Sequence, residues 1–206
     1  MKTRSKALSI ALCALALSVA GAASASAAEW RVANNPLVES AGLASKPAVT
    51  KVIKVEYAPG VYFECTGVEL KNGKITAHTT GSIEHLVLRE CANNGNCIVP
   101  STIESKPLTI EAALGSTSPE DKLTLKPTTG TTFMEFNITG LECQLFGSAR
   151  ITGKMKNLLP KGQTELAEQE LQLHTEGGEL AWSSAPVTVT GTIKLKLTTS
   201  QTWSFH

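Results

Sequence analysis

The sequence predicts an all-β protein, an antiparallel β-sandwich of jelly-roll or immunoglobulin-like style with about 10–12 short strands and at most one short helix. Three observations predict it. Apolar residues recur with a period of two in segment after segment, turn-forming residues punctuate the chain at short intervals, and helical periodicity is nearly absent.

The first 28 residues stand apart from this pattern. Lys2, Arg4 and Lys6 precede an apolar run from Ala7 to Ala20, and Ala25-Ser26-Ala27 closes a stretch of small residues. That is the layout of a secretory signal peptide with cleavage after Ala27 or Ala28. A retained anchor needs about 20 apolar residues, and this run is shorter. A lipoprotein would place an acylated cysteine after a small residue, whereas Cys13 follows Leu12. Removal of the segment takes away three of 19 basic residues and none of 18 acidic ones, which moves the formal charge from +1 to −2. A near-neutral chain lacks the basic surface that a general nucleic-acid binder uses to displace counterions. No second long apolar run exists, so no membrane association is expected after cleavage. Residues 29–206 are expected to form one domain, with 29–48 as an extended lead-in that Pro36 and Pro47 keep out of regular structure.

The strands are read in order. Ile53, Val55 and Tyr57 alternate inward, as do Val61, Phe63 and Cys65. Near Gly67 the phase slips by one, and Val68 and Leu70 take over the core face, as a β-bulge would produce. Asn72-Gly73 then reads as a hairpin turn. Further alternation covers Leu108 to Leu114, Leu123-Leu125, Met134 to Ile138 and Leu141 to Met155, with Gly147 and Gly153 as interruptions. Thr164 to Glu170 is the one segment able to form a helical turn or two. The clearest strand carries Val187, Val189, Ile193, Leu195 and Leu197 on one face and Thr and Lys on the other, with Gly191 marking a bulge or close approach. Trp30 and Trp203 lie near opposite ends of this domain, where each is placed to close the core against the other.

Four cysteines remain after cleavage, Cys65, Cys91, Cys97 and Cys143. An even number in an exported chain reads as two disulfides. A zinc site is disfavoured because Cys91 and Cys97 lack the close spacing that zinc favours. Of the three connectivities, alternation favours Cys65–Cys143, two core-facing residues, and Cys91–Cys97, which flank a turn-forming Ala-Asn-Asn-Gly-Asn. The long bridge would contribute on the order of 4 kcal/mol in the loop-entropy model.

Catalytic constellations are scarce. The chain has 17 Glu and one Asp, Asp121. Calcium loops need clustered Asp and Asn, and aspartic-protease chemistry needs two Asp. No G-x-S-x-G elbow exists for a serine triad. His78, His85, His174 and His206 form no H-x-x-x-H pattern, and His78 and His174 read as solvated strand positions. A glycosidase needs two carboxyl groups about 5–9 Å apart; Glu64 and Glu142 are the pair that alternation motivates, and both turn outward beside core-facing cysteines. Trp30, Trp182, Trp203, Tyr57 and Tyr62 do not assemble into a sugar platform by sequence, although Tyr62 and Glu64 share a face. No catalytic residue, metal site or cofactor is therefore assigned. The sequon Asn137-Ile138-Thr139 carries little weight beside an Ala-rich signal of bacterial style.

The Ala-rich signal, Phe63-Glu64-Cys65-Thr66 ahead of Asn72-Gly73, Cys91 and Cys97 around a polar loop, Thr131-Thr132-Phe133 leading to Cys143, and Gly147-Ser148-Ala149 together resemble a known group. It comprises the secreted, functionally uncharacterised four-cysteine β-rich proteins of high-GC Gram-positive (actinobacterial) soil bacteria. The likeness spans most of the chain after the signal, and its motifs are structural. It implies a β-rich fold and an extracellular, wall-associated location, and it transfers no activity. The expected role is non-enzymatic, structural or binding, at the cell exterior, with a cell-wall or extracellular glycan or protein as partner. A carbohydrate-active enzyme or carbohydrate-binding module, using surface Glu and aromatic residues, is the alternative.

Overall fold

A computed structural model describes residues 28–46, 52–115, 121–140, 147–174 and 179–206. Among these there are 18 strand segments and no helix. The chain begins with β1 (Trp30–Val32) and β2 (Asn35–Pro36). Segments then follow in pairs: β3 (Ser40–Lys46) and β4 (Ile53–Ala58), β5 (Val61–Lys71) and β6 (Gly73–Thr76), β7 (Thr80–Ile83) and β8 (His85–Asn93), β9 (Thr102–Glu104) and β10 (Leu108–Ala113). Next come β11 (Lys122–Pro127) and β12 (Thr132–Asn137), β13 (Ser148–Gly153) and β14 (Met155–Leu158), then β15 (Glu168–His174) and β16 (Leu180–Trp182). The long β17 (Ala185–Leu197) runs unbroken, and β18 (Trp203–Phe205) follows it.

The pairings close the sheet on itself. One ring runs β15-β14-β11-β10-β7-β6-β3-β17 and returns to β15, because β17 pairs with both β15 and β3. The remaining partners take the same order one level along: β16-β13-β12, then β9-β8-β5-β4-β17, with β16 also on β17. Each segment of the first ring is continued by its sequence neighbour in the second. The rings therefore stack end to end as one up-and-down meander of eight long strands, each broken at a shared waist except β17. Among the described strands, those consecutive in the chain are also neighbours in space, without a Greek-key crossing.

This corrects the sandwich expectation. Alternation reports one buried face, and that signature is the same whether two sheets face each other or one sheet closes on itself. Closure depends on both edges of β17 being paired, which no residue pattern announces. The higher segment count has a related origin, since seven of the eight long strands count as two segments each.

At eight strands a barrel interior is just wide enough for side chains to fill it. Here they do: Ile75, Leu108, Ile110, Leu123, Leu125, Ile193 and Leu195 fill the first ring, and Phe63, Phe133, Ile151 and Val187 the second, each with 1% exposure or less. The far end of the first ring is plugged by a small sheet in which β1 pairs with β18 and β2. Trp30, Trp203 and Phe205 are fully buried there, with Trp30 centred 4.7 Å from Phe205 and 5.8 Å from Trp203. The Trp30 indole donates to Thr80 O at 3.0 Å. The two tryptophans thus close the core against each other, as their positions near the two ends of the domain suggested.

Serine hydroxyls repair the ladder at the waist. Ser45 Oγ donates to Val68 O (3.0 Å) and accepts from Leu70 N (3.1 Å), bridging β3 to β5. Ser105 Oγ accepts from Leu86 N and donates to Lys106 O, while His85 Nδ1 bonds Ser105 O. Two glycines are required by the same crossing. Gly153 has φ +107° with Glu179 O only 2.0 Å from where a Cβ would sit. Gly191 has φ +151° and lies against Ile53 as β17 passes from one ring to the other.

Several expectations change on inspection. Asn72-Gly73 is no hairpin: Asn72 adopts φ 49° at the waist, and the chain continues from β5 into β6 in the same direction. The turn comes at 77–79, so His78 (φ 70°) occupies a turn, exposed, and not a strand face. The phase slip near Gly67 is present, with Val68 and Leu70 buried. It is not a bulge, however, because β5 and β8 keep register from Phe63↔Asn93 to Lys71↔His85; the partner kinks at the same level through Glu90 at φ 54°. Residues 29–48 are not merely a lead-in, since β3 is a barrel strand. Thr164 to Glu170 holds bends at Thr164 and Ala167, a bridge from Leu166 to Trp203 and the start of β15, without a helix.

The cysteine pairing also differs. Cys65 is bonded to Cys91, with Cα atoms 4.0 Å apart, at directly opposed positions of β5 and β8. This overturns both Cys65–Cys143 and Cys91–Cys97. Alternation told which cysteines face inward but not which strand lies alongside. Cys97 is itself disulfide-bonded; Cys143 and the cleavage residue Ala27 lie outside the described residues. Ala28, the other cleavage residue, is half-buried against the core.

Candidate functional site

With the interior filled, the chemistry accessible to a partner lies on the outside of the wall and at the barrel mouth. The register across β17, β4 and β5 builds the best-defined cluster. Thr188 opposes Glu56, which opposes Tyr62; one row along, Thr190 opposes Lys54, which opposes Glu64. These side chains share the outer face because successive residues of a strand alternate. Lys54 Nζ lies 2.9 Å from Glu56 and 4.0 Å from the centre of the Tyr62 ring.

The charge states of this cluster are set locally. The hydrogen bond to Glu56 raises Lys54, helped by the neighbouring charges and opposed by slight burial. The same bond, with the Gly60 backbone N–H, holds Glu56 below the ordinary carboxylate range. Both are charged at neutral pH. A glycosidase acid must instead be kept protonated, so Glu56 is suited to accepting hydrogen bonds and not to donating a proton. The sequence reading picked Tyr62 and Glu64 from this group and missed Lys54 and Glu56. Only the pairing of β4 with β5 and β17 brings them together.

Beside the cluster a concavity of ≈ 320 Å³ is lined by Glu56, Tyr57, Ala58, Pro59, Ala185, Pro186 and Thr188. It forms where the β4–β17 ladder ends at Glu56 and the β4–β5 pairing shifts register between Glu56 and Ala58. Tyr57 lies beneath it, 3% exposed, edge-on to Trp182 at 5.2 Å. Burial pushes the Tyr57 phenol above its ordinary range, and its hydrogen bond to Asn93 Oδ1 opposes that only partly. Pro59 and Pro186 carry no N–H, which blunts these edges against adding a strand.

The other sequence candidates do not converge. Glu64 is exposed on β5, and Glu142 lies outside the described residues. His174 is exposed, His85 is half-buried and bonded to Ser105, and His206 pairs through its backbone with Glu29. Asp121 is buried as a clamp at the capped end, accepting from Gly115 N and Gln163 Nε2. Among the described residues no three His, Cys, Asp or Glu side chains gather to hold a metal ion. No helix among them is long and apolar enough to cross a membrane, and the outer strand faces carry Lys, Glu and Thr instead of the apolar band of a lipid-facing barrel.

No family model, curated protein or solved structure matches the chain.

Proposed function

We propose that this is an exported, non-enzymatic barrel that works at the cell exterior in a binding or structural role, with its outer surface as the contact. One observation carries the reading: among the described residues the barrel is closed and its interior is filled by apolar side chains, which leaves its outer surface for contact with a partner. The Cys65–Cys91 disulfide supports an oxidising compartment, and the amino-terminal signal pattern supports export. Resemblance to the secreted actinobacterial proteins points the same way.

The mouth cluster of Lys54, Glu56, Tyr62 and Thr188 with its adjoining concavity is the surface best suited to a wall or extracellular glycan. It offers an aromatic ring, a fixed carboxylate and a hydroxyl within one patch. Purified protein, lacking residues 1–28, should be screened on a glycan array, on isolated cell walls and for polysaccharide hydrolysis. Retention without hydrolysis, weakened by Glu56→Gln or Tyr62→Ala, is the expected outcome. Hydrolysis abolished by Glu64→Gln or Glu142→Gln would overturn it in favour of a carbohydrate-active enzyme.

A further inference from the structure

In the ring nearer the mouth, seven of the eight neighbouring strand pairs are joined by ladders, and β9 against β12 is the exception. Two isolated bridges tie these strands instead: Ser105↔Met134 near the waist and Ile98↔Thr139 at the mouth. Lys106 N also donates to Phe133 O, and Ile98 and Thr139 exchange both of their backbone bonds. The bridges cannot belong to one ladder. Seven residue steps separate Ile98 from Ser105, whereas five separate Met134 from Thr139. An antiparallel ladder advances equally on both strands, so two surplus residues must bow out of the wall between the bridges.

Backbone direction shows which groups face the seam. Ile138 N donates to Gly147 O, toward β13, so by alternation Glu135 and Asn137 turn their N–H and C=O groups to the seam. Ser105 N donates to Leu86 O, toward β8, which turns those of Thr102 and Glu104 to the seam from the other side. Immediately behind lie Ile103, Phe136 and Ile138, all buried, with Phe136 edge-on to Phe63 at 5.4 Å. Across the outside, Lys106 reaches Glu135 at 3.8 Å on an exposed surface, where an ion pair contributes little.

We infer that the barrel opens locally along the seam between β9 and β12, exposing Ile103, Phe136 and Ile138, while the capped ring stays closed. The first ring has a ladder at every junction and a plug of tryptophan and phenylalanine, so nothing comparable weakens it. The seam is a break in the ladder, closed by a bridge at each end.

Residue-resolved amide hydrogen exchange of the intact protein, repeated at low denaturant concentrations, tests this. Local opening predicts that the amides of Ile98, Lys106 and Thr139, which bond across the seam, exchange about tenfold or more faster than those of Leu125 and Leu195, with a shallow dependence on denaturant. Exchange of all five amides at one rate and with one steep denaturant slope would mean that the seam opens only on global unfolding, and would overturn the inference.

Discussion

Cys65 shows what a single residue reveals and what it withholds. Its place in the alternation with Val61 and Phe63 predicts an inward side chain, and it is fully buried. Its partner depended on which strand lies alongside, and that is a property of the sheet. The bond to Cys91 closes a separation of 26 residues, so the double variant Cys65→Ala/Cys91→Ala should lose about 3–4 kcal/mol in the loop-entropy model, measurable by urea unfolding. A non-reducing peptide map should recover the two cysteines in one linked pair. Glu165 could not be singled out as a structural tie because its partners are distant in sequence. It accepts from Asn34 N (2.9 Å), Thr202 Oγ1 (2.8 Å) and Ser204 Oγ (2.8 Å), tying the β1–β2 turn and the approach to β18 to one loop. Burial works to raise its carboxyl, but these hydrogen bonds outweigh it and hold the group below the ordinary 4.5. With the folded value lowered, its contribution is complete above the unfolded value and lost as pH falls through the folded one. Glu165→Gln should therefore be less stable than the parent by about 1–2 kcal/mol at pH 7. The gap should narrow in thermal melts as pH drops below about 4.5 and the parent carboxyl protonates.

At the level of elements, periodicity located most strands and failed at the waist. Several long strands are interrupted there: at Asn72 between β5 and β6, at Glu84 between β7 and β8, and at Lys154 between β13 and β14. Asn-Gly is the residue pair of a two-residue hairpin because both tolerate positive φ, but one positive φ at Asn72 is also enough to kink a strand that carries on. Sequence cannot separate these uses, since the difference lies in whether the next segment reverses. The serine pins were equally hidden, a mid-strand serine being ordinary on an outer face. Ser45→Ala removes a hydroxyl that serves both Val68 O and Leu70 N, leaving two main-chain groups short of partners. A loss of about 1–3 kcal/mol is expected, read from chemical denaturation. Ser45→Thr keeps the hydroxyl and should recover part of that loss.

For the whole molecule, the composition indicated a β-rich chain with polar outer faces, and the closure of those faces into a barrel is what the structure adds. The consequence for function is direct. A sandwich of two sheets can hold a cleft at its edge, but a filled barrel leaves only its exterior and mouth, where Lys54, Glu56 and Tyr62 gather. Those residues were partly legible, as outward positions of two neighbouring strands, and their grouping with Thr188 was not, because β17 arrives from more than a hundred residues away. The claim that everything else depends on is that β17 is paired on both edges at once. Leu195 lies opposite Gln169 on β15 and opposite Ser45 on β3. Backbone nuclear Overhauser contacts in the protein in solution measure this directly. A closed barrel predicts cross-strand contacts from the Leu195 region to both the Gln169 and the Ser45 regions. Contacts to one strand with none to the other would show an open sheet and contradict the closed, filled barrel.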